Sequence, residues 1–261
     1  MKNIILFDDK VARENLLPLS FTRPVADMRF GIMTIRQKWE KALAGNYSYL
    51  TVEYLSEKYA MVATDENVFI AGNVCPDSEL VAMIKAMKEG DAITSDRGLV
   101  AYCGSLTDFE CRQWRNETRL HHTPLAINML YDIFLNNDKA LEQDFKVLTA
   151  GRKSAPLSKT NTVVGDAVAA DGTPRIFVEE GAVVEAAVLN VVNGPIYIGR
   201  DAEVMEGSCL RCTRMGTRLL LYAQQRNLLF RRNVGSIPKS FDAVSLKIIE
   251  KFWFHRKLTM D

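Results

Sequence analysis

Branched apolar residues recur every six positions in the last third of this chain. Val178 and Val184 form one pair, and Ile198, Val204 and Leu210 form a second series. A six-residue period is typical of a parallel β-helix, in which each short strand points one aliphatic side chain inward. An ordinary antiparallel meander is the alternative that the period alone leaves open.

The two series are out of phase, because the interval from Val184 to Ile198 is two residues longer than a multiple of six. The turn sequence Asn-Gly-Pro at residues 193–195 lies in this interval and predicts a two-residue excursion that restores the phase. Residues 151–160 are polar and have the composition of a linker. We therefore predict a linker and the start of a β-helix over residues 151–211.

The first part of the chain alternates strand and helix patterns. Residues 4–7 and 68–71 are apolar runs that predict buried strands, and residues 32–43 carry apolar side chains at helical spacing. Ser78 is predicted to cap a further helix, and residues 124–148 are predicted to be mostly helical. Strands that alternate with helices predict a parallel sheet of the α/β class.

Polar groups follow both of the predicted buried strands. Asp8 and Asp9 come directly after the first strand, and Gly72 and Asn73 follow the second. Ligands of open α/β sheets bind beyond the carboxyl ends of the strands. We therefore expect a functional site in these two loops.

The charge balance and the composition of the chain indicate which kinds of partner and location to expect. The chain has 33 Lys and Arg against 32 Asp and Glu, so we expect no nucleic-acid partner. No stretch approaches the roughly 20 apolar residues of a membrane span, so we expect no stable membrane insertion. The 5 cysteines, and a start that turns acidic after a short apolar run, favour a cytoplasmic protein.

Three segments together resemble a known family. Residues 18–24, Pro-Leu-Ser-Phe-Thr-Arg-Pro, resemble the P-L-T-x-x-R-P run of sugar-1-phosphate nucleotidyltransferases. Residues 196–207 are similar to the hexapeptide repeats fused behind many of them, and residues 131–134, 144–145 and 160–166 are similar to the joining region. The chain most resembles the branch related to the bifunctional N-acetylglucosamine-1-phosphate uridyltransferase and acetyltransferase.

The resemblance implies a Rossmann-like domain over residues 1–150, followed by a short left-handed parallel β-helix. It also implies two substrates, a nucleoside triphosphate and a sugar phosphate, with Mg²⁺ as cofactor. An oxygen of the sugar phosphate attacks the α-phosphorus and pyrophosphate leaves, so catalysis depends on positioning and on cations that neutralise phosphate charge. Active members use a G-x-G-T-R loop, a lysine directly after the R-P proline, and an aspartate that holds the metal.

This chain departs from that pattern at each charged position. Residues 13–15, Arg-Glu-Asn, stand where Gly-Thr-Arg is expected, and Val25 stands at the usual lysine. Gly72 and Asn73 fall where Gly-Asp is usual, so an amide replaces the metal-binding carboxylate. An amide oxygen ligates Mg²⁺ without contributing charge, which predicts a weaker site.

Other residues of the same loops are candidates to take over these tasks. Arg23 keeps its family position and has the geometry to bind a phosphate with two parallel hydrogen bonds. The alternative is that these charges form a solvated face, and that the two aspartates end a strand or cap a helix. The candidates for phosphate or nucleotide binding are Arg13, Thr22, Arg23, Arg29, Gly72 and Asn73, and those for metal binding are Asp8 and Asp9.

The six-residue period stops after Leu210, and residues 212–261 form an atypical basic tail rich in apolar residues. Family members continue with many more hexapeptide coils, so we predict a frame shift or truncation in the gene. The alternatives are amphipathic helices that cover the open end of the β-helix, and contact with an anionic membrane or RNA. The family's solenoids trimerise, which implies a homo-oligomer formed through the β-helix.

The leading functional hypothesis is transfer of a nucleotidyl group onto a sugar 1-phosphate. One alternative is a non-catalytic protein that binds nucleotides or sugar phosphates, and another is a truncated hexapeptide-repeat acyltransferase. Cys209 and Cys212 lack a second pair at zinc-binding spacing, so we expect no zinc site. His121 and His122 are predicted to lie in a loop.

Overall fold

The computed structural model describes residues 2–170 and 172–211, and the chain divides into two compact units, Met1–Asp144 and Phe145–Asp261. The predicted basic tail lies outside the described residues. No helix among the described residues is long and apolar enough to cross a membrane. The helices are α1 (Lys10–Asn15), α2 (Ile35–Ala42), α3 (Glu53–Ser56), α4 (Ser78–Ala86), α5 (Leu106–Cys111), α6 (Asp132–Leu135) and α7 (Asn137–Thr149). The strands of the first unit are β1 (Lys2–Phe7), β2 (Gly45–Leu50), β3 (Asn67–Ala71), β4 (Asp91–Ser95), β5 (Gly98–Gly104) and β6 (Asn116–Arg119).

One six-stranded sheet forms the centre of the first unit, in the order β2-β1-β3-β5-β4-β6. β1 pairs in parallel with β2 and β3, and β4 pairs in parallel with β6. β5 is antiparallel to both of its neighbours, so the predicted parallel sheet is wrong at this strand. The reason is local: β4 and β5 are joined only by Asp96 and Arg97, and parallel strands need a much longer crossover.

The two apolar runs of the sequence are the buried strands β1 and β3, as predicted. Every residue of β3 is buried, and so is every residue of β1 after Lys2. Phe7 lies opposite Leu50 at the end of β2 and opposite Ala71 at the end of β3. The three parallel strands therefore end at one edge of the sheet, and the loops that follow them begin side by side.

Two helices begin at different residues from those predicted. α2 begins only after Thr34, whose side chain forms a capping box with Gln37, so the first residues of the predicted helix are not helical. α4 begins at Ser78, but its cap is Asp77, whose Oδ1 accepts the N–H of Leu80 at 2.8 Å. A capping side chain satisfies an N–H group of the first turn, and its position fixes where the helix starts.

Residues 124–131, which lie between β6 and α6, are not helical, so the predicted helix is wrong over these residues. The N–H of Cys75 donates to the carbonyl oxygen of Leu125 at 2.7 Å, which joins this segment to the one that follows β3. Helical structure within the predicted range begins only with α6 and continues in α7. We call residues 73–77 and 122–128 together the ribbon.

The second unit contains three small sheets of stacked short strands. The sheet orders are β13-β10-β7, β11-β8 and β12-β9, and every pairing between these strands is parallel. The strands are β7 (Thr162–Val164), β8 (Ile176–Val178), β9 (Val183–Val184), β10 (Val188–Asn190), β11 (Ile196–Ile198), β12 (Glu203–Val204) and β13 (Cys209–Arg211). Parallel pairing excludes the antiparallel meander for these strands.

The six-residue series of the sequence lies inside this stack. Val178 lies opposite Ile198, and Val184 lies opposite Val204, and all four side chains are buried. The two series are therefore in phase in space, as the predicted excursion between them requires. The left-handed β-helix itself stays a prediction, because parallel pairing of these short strands fixes neither a continuous coil nor its hand.

The carboxylate of Glu179 connects the start of the second unit to the stacked strands of the same unit. The two terminal nitrogens of Arg152 donate to the two carboxylate oxygens of Glu179, at 3.0 and 2.7 Å. The hydroxyl of Tyr197 donates to the same carboxylate, and its ring stacks on Phe177 with centroids 5.6 Å apart. The hydrogen bonds from Arg152 are the largest cause that lowers the pKa of Glu179 below its ordinary value.

Candidate functional site

The loops after β1 and β3 touch at the carboxyl edge of the sheet. The N–H of Gly72 donates to the carbonyl oxygen of Phe7 at 2.8 Å. A Cβ atom at Gly72 would lie 3.1 Å from Cβ of Ala26 and 3.2 Å from that carbonyl oxygen. A larger residue here would therefore force the two loops apart by a few tenths of an ångström. The structure brings Gly72 beside the first loop, as the sequence predicts.

The carboxylate of Asp8 accepts hydrogen bonds from three residues around the loop that follows β1. Its Oδ1 accepts the N–H of Val25 at 2.8 Å, and its Oδ2 accepts hydrogen bonds from Arg13 at 2.8 Å and from Thr51 at 2.6 Å. Burial is the largest cause that acts on this carboxyl, and it raises the pKa of Asp8 above the ordinary value. These contacts tie the first loop to the loop after β2; the role of Asp8 as a Mg²⁺ ligand stays a prediction.

Asp9 is the N-terminal cap of α1. Its Oδ1 accepts the N–H of Ala12 at 2.8 Å, which satisfies an N–H group of the first turn. Capping was one of the two interpretations that the sequence allowed for this residue. Metal binding by Asp9 stays a prediction.

Arg13 is buried, and its guanidinium group points into the loop. One terminal nitrogen donates to Asp8, and the other donates to the carbonyl oxygen of Ser20 at 2.6 Å and to the hydroxyl of Tyr54 at 2.9 Å. The same hydroxyl donates to the carbonyl oxygen of Phe21 at 2.9 Å. A phosphate that engaged Arg13 in this arrangement would have to displace a protein acceptor.

The remaining candidates for phosphate binding in the first loop are one threonine and two arginines. Thr22 is exposed and follows the 3-10 turn Leu19–Phe21, and Arg23 is half-buried directly after it. Arg29 is half-buried and donates to the carbonyl oxygen of Ile32. The structure thus places these three residues in the same loop as Asp8, and their binding of phosphate stays a prediction.

Asn73 is paired with Asn128, a residue that the sequence analysis did not identify. Nδ2 of Asn73 donates to Oδ1 of Asn128 at 2.9 Å, and the N–H of Ile127 donates to the carbonyl oxygen of Asn73 at 2.9 Å. Oδ1 of Asn73 is buried and has no hydrogen-bond partner within the described part of the chain. Asp132 fixes Asn128 by accepting its N–H at 2.9 Å.

The amide pair is formed by parts of the chain that are distant in sequence. Asn128 lies 55 residues after Asn73, in a range that the sequence predicts to be helical, so the sequence gives no signal of the contact. The ribbon creates the pair, because it aligns the segment after β6 with the loop after β3. An unpartnered amide oxygen at the carboxyl edge of the sheet marks this pair as part of the candidate site.

A family described as sugar nucleotidyl transferase matches residues 4–153. The chain belongs to this family. A comparison with curated proteins finds no match. The matched range contains β1 from Ile4 onward, the strands β2 to β6, and the three loops at the carboxyl edge. The closer relationship to the bifunctional branch of the sugar nucleotidyl transferases stays a prediction.

The position of Val25 shows how this member of the family departs from the charged pattern. Val25 is fully buried in the core of the first unit, and its N–H donates to Asp8. The side chain at the position of the expected lysine therefore points into the core and away from any ligand at the sheet edge. The loop that places it there is held by the contacts of Asp8 and Arg13.

The described residues of this family member do not fit a Mg²⁺ site built from carboxylates. Within the described ranges, no group of 3 or more His, Cys, Asp and Glu lies close enough to hold a metal ion. The carboxylate of Asp8 is surrounded by protein donors, and the unpartnered oxygen of Asn73 is neutral and buried. Mg²⁺ is usually bound by one or two protein carboxylates together with substrate phosphates and waters, so binding of this ion stays a prediction.

A groove lies at the opposite edge of the sheet. It has a volume of about 950 Å³ and is lined by residues at the amino ends of β1, β2 and β3, among them Lys2, Asn46 and Asn67. None of the predicted site residues lines this groove. Some polar groups in its walls form hydrogen bonds with one another, since Nδ2 of Asn3 donates to Oδ1 of Asn67 at 2.7 Å.

Proposed function

We propose that this chain binds a nucleoside triphosphate and a sugar 1-phosphate at the carboxyl ends of β1, β2 and β3, and transfers the nucleotidyl group between them. The observation that carries the proposal is the family match over residues 4–153, which includes the three loops that meet at this edge. Ligands of open α/β sheets bind at such an edge.

In the proposed reaction, an oxygen of the sugar phosphate forms a bond to the α-phosphorus. The bond between the α-phosphorus and the bridging oxygen of the β-phosphate breaks, and pyrophosphate leaves with that electron pair. The step needs alignment and neutralisation of negative charge rather than a covalent intermediate. We propose Arg23, Arg29 and Thr22 as phosphate-binding groups, Gly72 as the point of close approach, and Mg²⁺ as an ion that arrives with the triphosphate.

Binding without transfer is the second candidate function. Two observations favour it: Val25 is fixed in the core where the family's lysine is expected, and the donors of Arg13 are used by Asp8, Ser20 and Tyr54. Without a lysine at position 25 and a free guanidinium group at Arg13, little positive charge is left to stabilise the negative charge that develops on the leaving pyrophosphate. The loss affects the transition state more than it affects substrate binding. The protein would then still bind its substrates but would not catalyse transfer between them.

Two measurements on the full chain separate these functions. Nucleoside triphosphates are paired with a panel of sugar 1-phosphates in the presence of Mg²⁺, and pyrophosphate release and thermal stabilisation by each nucleotide are recorded. Release establishes transfer, and stabilisation without release establishes binding alone. Neither signal across the panel rejects both functions.

A matched pair of variants tests the place of binding. Arg23→Ala should remove the stabilisation by nucleotide, whereas Arg97→Ala, an exposed arginine on the turn between β4 and β5, should keep it. Equal stabilisation of both variants would place the nucleotide outside the first loop.

The second unit has a proposed role of its own. We propose that its stacked parallel strands form a left-handed β-helix through which copies of the chain associate into a homo-oligomer. Val164, Val183 and Val192 are exposed on this unit, which supports an apolar contact between copies. Light scattering on the full chain tests this, and a monomer at micromolar concentration would reject it.

A further inference from the structure

The ribbon connects the amide pair of the candidate site to α4. At one end, the N–H of Ile127 donates to the carbonyl oxygen of Asn73, which sets Asn128 beside Asn73. In the middle, Val74 forms an antiparallel bridge with Ala126. These contacts make the alignment of the two amides depend on the register of the whole ribbon.

His122 closes the other end of the ribbon. Its Nε2 lies 2.9 Å from Oδ2 of Asp77, and its Nδ1 lies 3.2 Å from Oε2 of Glu79, the latter as an ion-pair contact rather than an aligned hydrogen bond. Asp77 uses its other oxygen to cap α4 at Leu80. The imidazole ring is thus held between two carboxylates at the start of a helix packed in the first unit.

We propose that protonated His122 is a positioning residue: its bridge to Asp77 and Glu79 holds the ribbon in the register that sets Asn128 against Asn73, and so strengthens nucleotide binding there. The part that concerns nucleotide binding rests on the proposed function. His122 itself lies at the far end of the ribbon from the amide pair and has no catalytic role in this proposal.

The charges around His122 set the direction of the effect. Asp77 and Glu79 face the ring from α4, and His121, which is exposed, is its neighbour on the same segment. The hydrogen bond to Asp77 is the largest cause that raises the pKa of His122 above its ordinary value of 6.5. Only the imidazolium has an N–H on both nitrogens and a positive charge for both carboxylates.

The sign follows from the raised pKa. A folded-state pKa above the unfolded value means that the bridge is fully present at acidic pH and is lost as the pH rises through the folded pKa. The ribbon should therefore be held most firmly below the folded pKa, and the amide pair should be less well aligned at alkaline pH.

Hydrogen exchange tests the ribbon without reference to any ligand. Protection of the Cys75 and Ile127 amides is measured from about pH 5.5 to about pH 8.5, corrected for intrinsic exchange, in the wild type, His122→Gln and His121→Gln. Protection should fall with rising pH in the wild type and in His121→Gln, and should be low and independent of pH in His122→Gln. The same pH profile in all three proteins would overturn the proposal.

Nucleotide affinity tests the link to the site, with the magnesium salts of four nucleoside triphosphates as probes. Across the same pH range, nucleotide affinity in the wild type and in His121→Gln should weaken about threefold to fivefold more than nucleotide affinity in His122→Gln. The His122→Gln profile reports titration of the nucleotide itself, and His121→Gln controls for the loss of a neighbouring imidazole. If exchange follows the prediction but affinity shows no difference between the variants, the link to binding is overturned.

A further variant covers the case in which His122→Gln does not fold. Glu79→Gln removes one carboxylate from the bridge and leaves the cap of α4 in place, so the midpoint of the exchange profile should move to lower pH. An unchanged midpoint would overturn the bridge. If no nucleotide binds any protein at any pH, the proposed function fails, while the exchange data still decide the role of His122 in the ribbon.

Discussion

The ammonium group of Lys38 forms an ion pair with the carboxylate of Asp144, and both side chains are almost fully buried. The other oxygen of Asp144 accepts the N–H groups of Ile32 and Met33, at 2.8 and 3.1 Å. This one carboxylate therefore holds the end of the first loop against the last helix of the first unit. Gly31 completes the contact, since a Cβ atom there would lie 2.6 Å from Asp144.

Lys38→Met should destabilise the first unit by about 3–5 kcal/mol, because it leaves the buried charge of Asp144 without a partner. Burial already raises the pKa of Asp144, and Lys38 is the main group that opposes this. Urea denaturation at neutral pH measures the loss. The double variant Lys38→Met with Asp144→Asn should be more stable than Lys38→Met alone, and an equal or lower stability would contradict this account.

Gly72→Ala should destabilise the protein by about 1–3 kcal/mol, because the added methyl group meets Ala26 and the backbone of Phe7. Thermal unfolding measures the change. Combining it with Ala26→Gly removes the nearest obstacle and should restore part of the lost stability. If the double variant is no more stable than Gly72→Ala, the contact between the two loops is not the cause.

Asn73→Asp replaces the amide by the carboxylate that the family resemblance implies. The variant loses the donor to Asn128 and buries a charge, so we expect a loss of about 1–3 kcal/mol in the absence of metal. Added Mg²⁺ should then raise the thermal midpoint of Asn73→Asp more than that of the wild type. An equal response to Mg²⁺ in both proteins would remove this position from the candidate metal ligands.

Arg152→Met should destabilise the second unit by about 1 kcal/mol, since the guanidinium group is partly exposed and its ion pair with Glu179 is screened by water. The pKa of Glu179 lies below its ordinary value of 4.5 in the folded protein. Its contribution is therefore present at neutral pH and is lost as the pH falls through that lowered pKa.

Acid unfolding of the second unit measures this contribution. The difference between Arg152→Met and the wild type should disappear at the acid end of the titration. Lys159→Met, at an exposed position of the same unit, should behave as the wild type at every pH. A difference that persists unchanged in acid would assign the effect to packing of the arginine against Phe177 instead.

Features that depend on local pattern could be predicted from the sequence. The strands β1 and β3 are uninterrupted apolar runs, and the buried series through Val178 and Ile198 is regular enough to give the spatial register, including the excursion between the series. In each case the side chains that pack together also lie at fixed intervals in the chain. Burial of the apolar period is therefore enough to specify the arrangement.

Features that depend on pairing between distant segments could not be predicted. The ribbon satisfies its backbone groups across more than 40 residues, and the apolar pattern of its second segment also suits a helix. The orientation of Arg13 depends on Tyr54, which lies in α3, after another strand of the sheet. The cap of α4 was missed by one residue, because Asp77 and Ser78 both have capping side chains.

The burial of Val25 also limits how this loop can change. A lysine substituted at this position would place its ammonium group in the hydrophobic interior, where desolvation is costly. Single-residue reversion to the family's pattern therefore cannot deliver a cation to the sheet edge without refolding the loop around Asp8. Engineering of stronger phosphate affinity should begin at exposed neutral positions of this loop, such as Thr22, where a new positive charge remains hydrated.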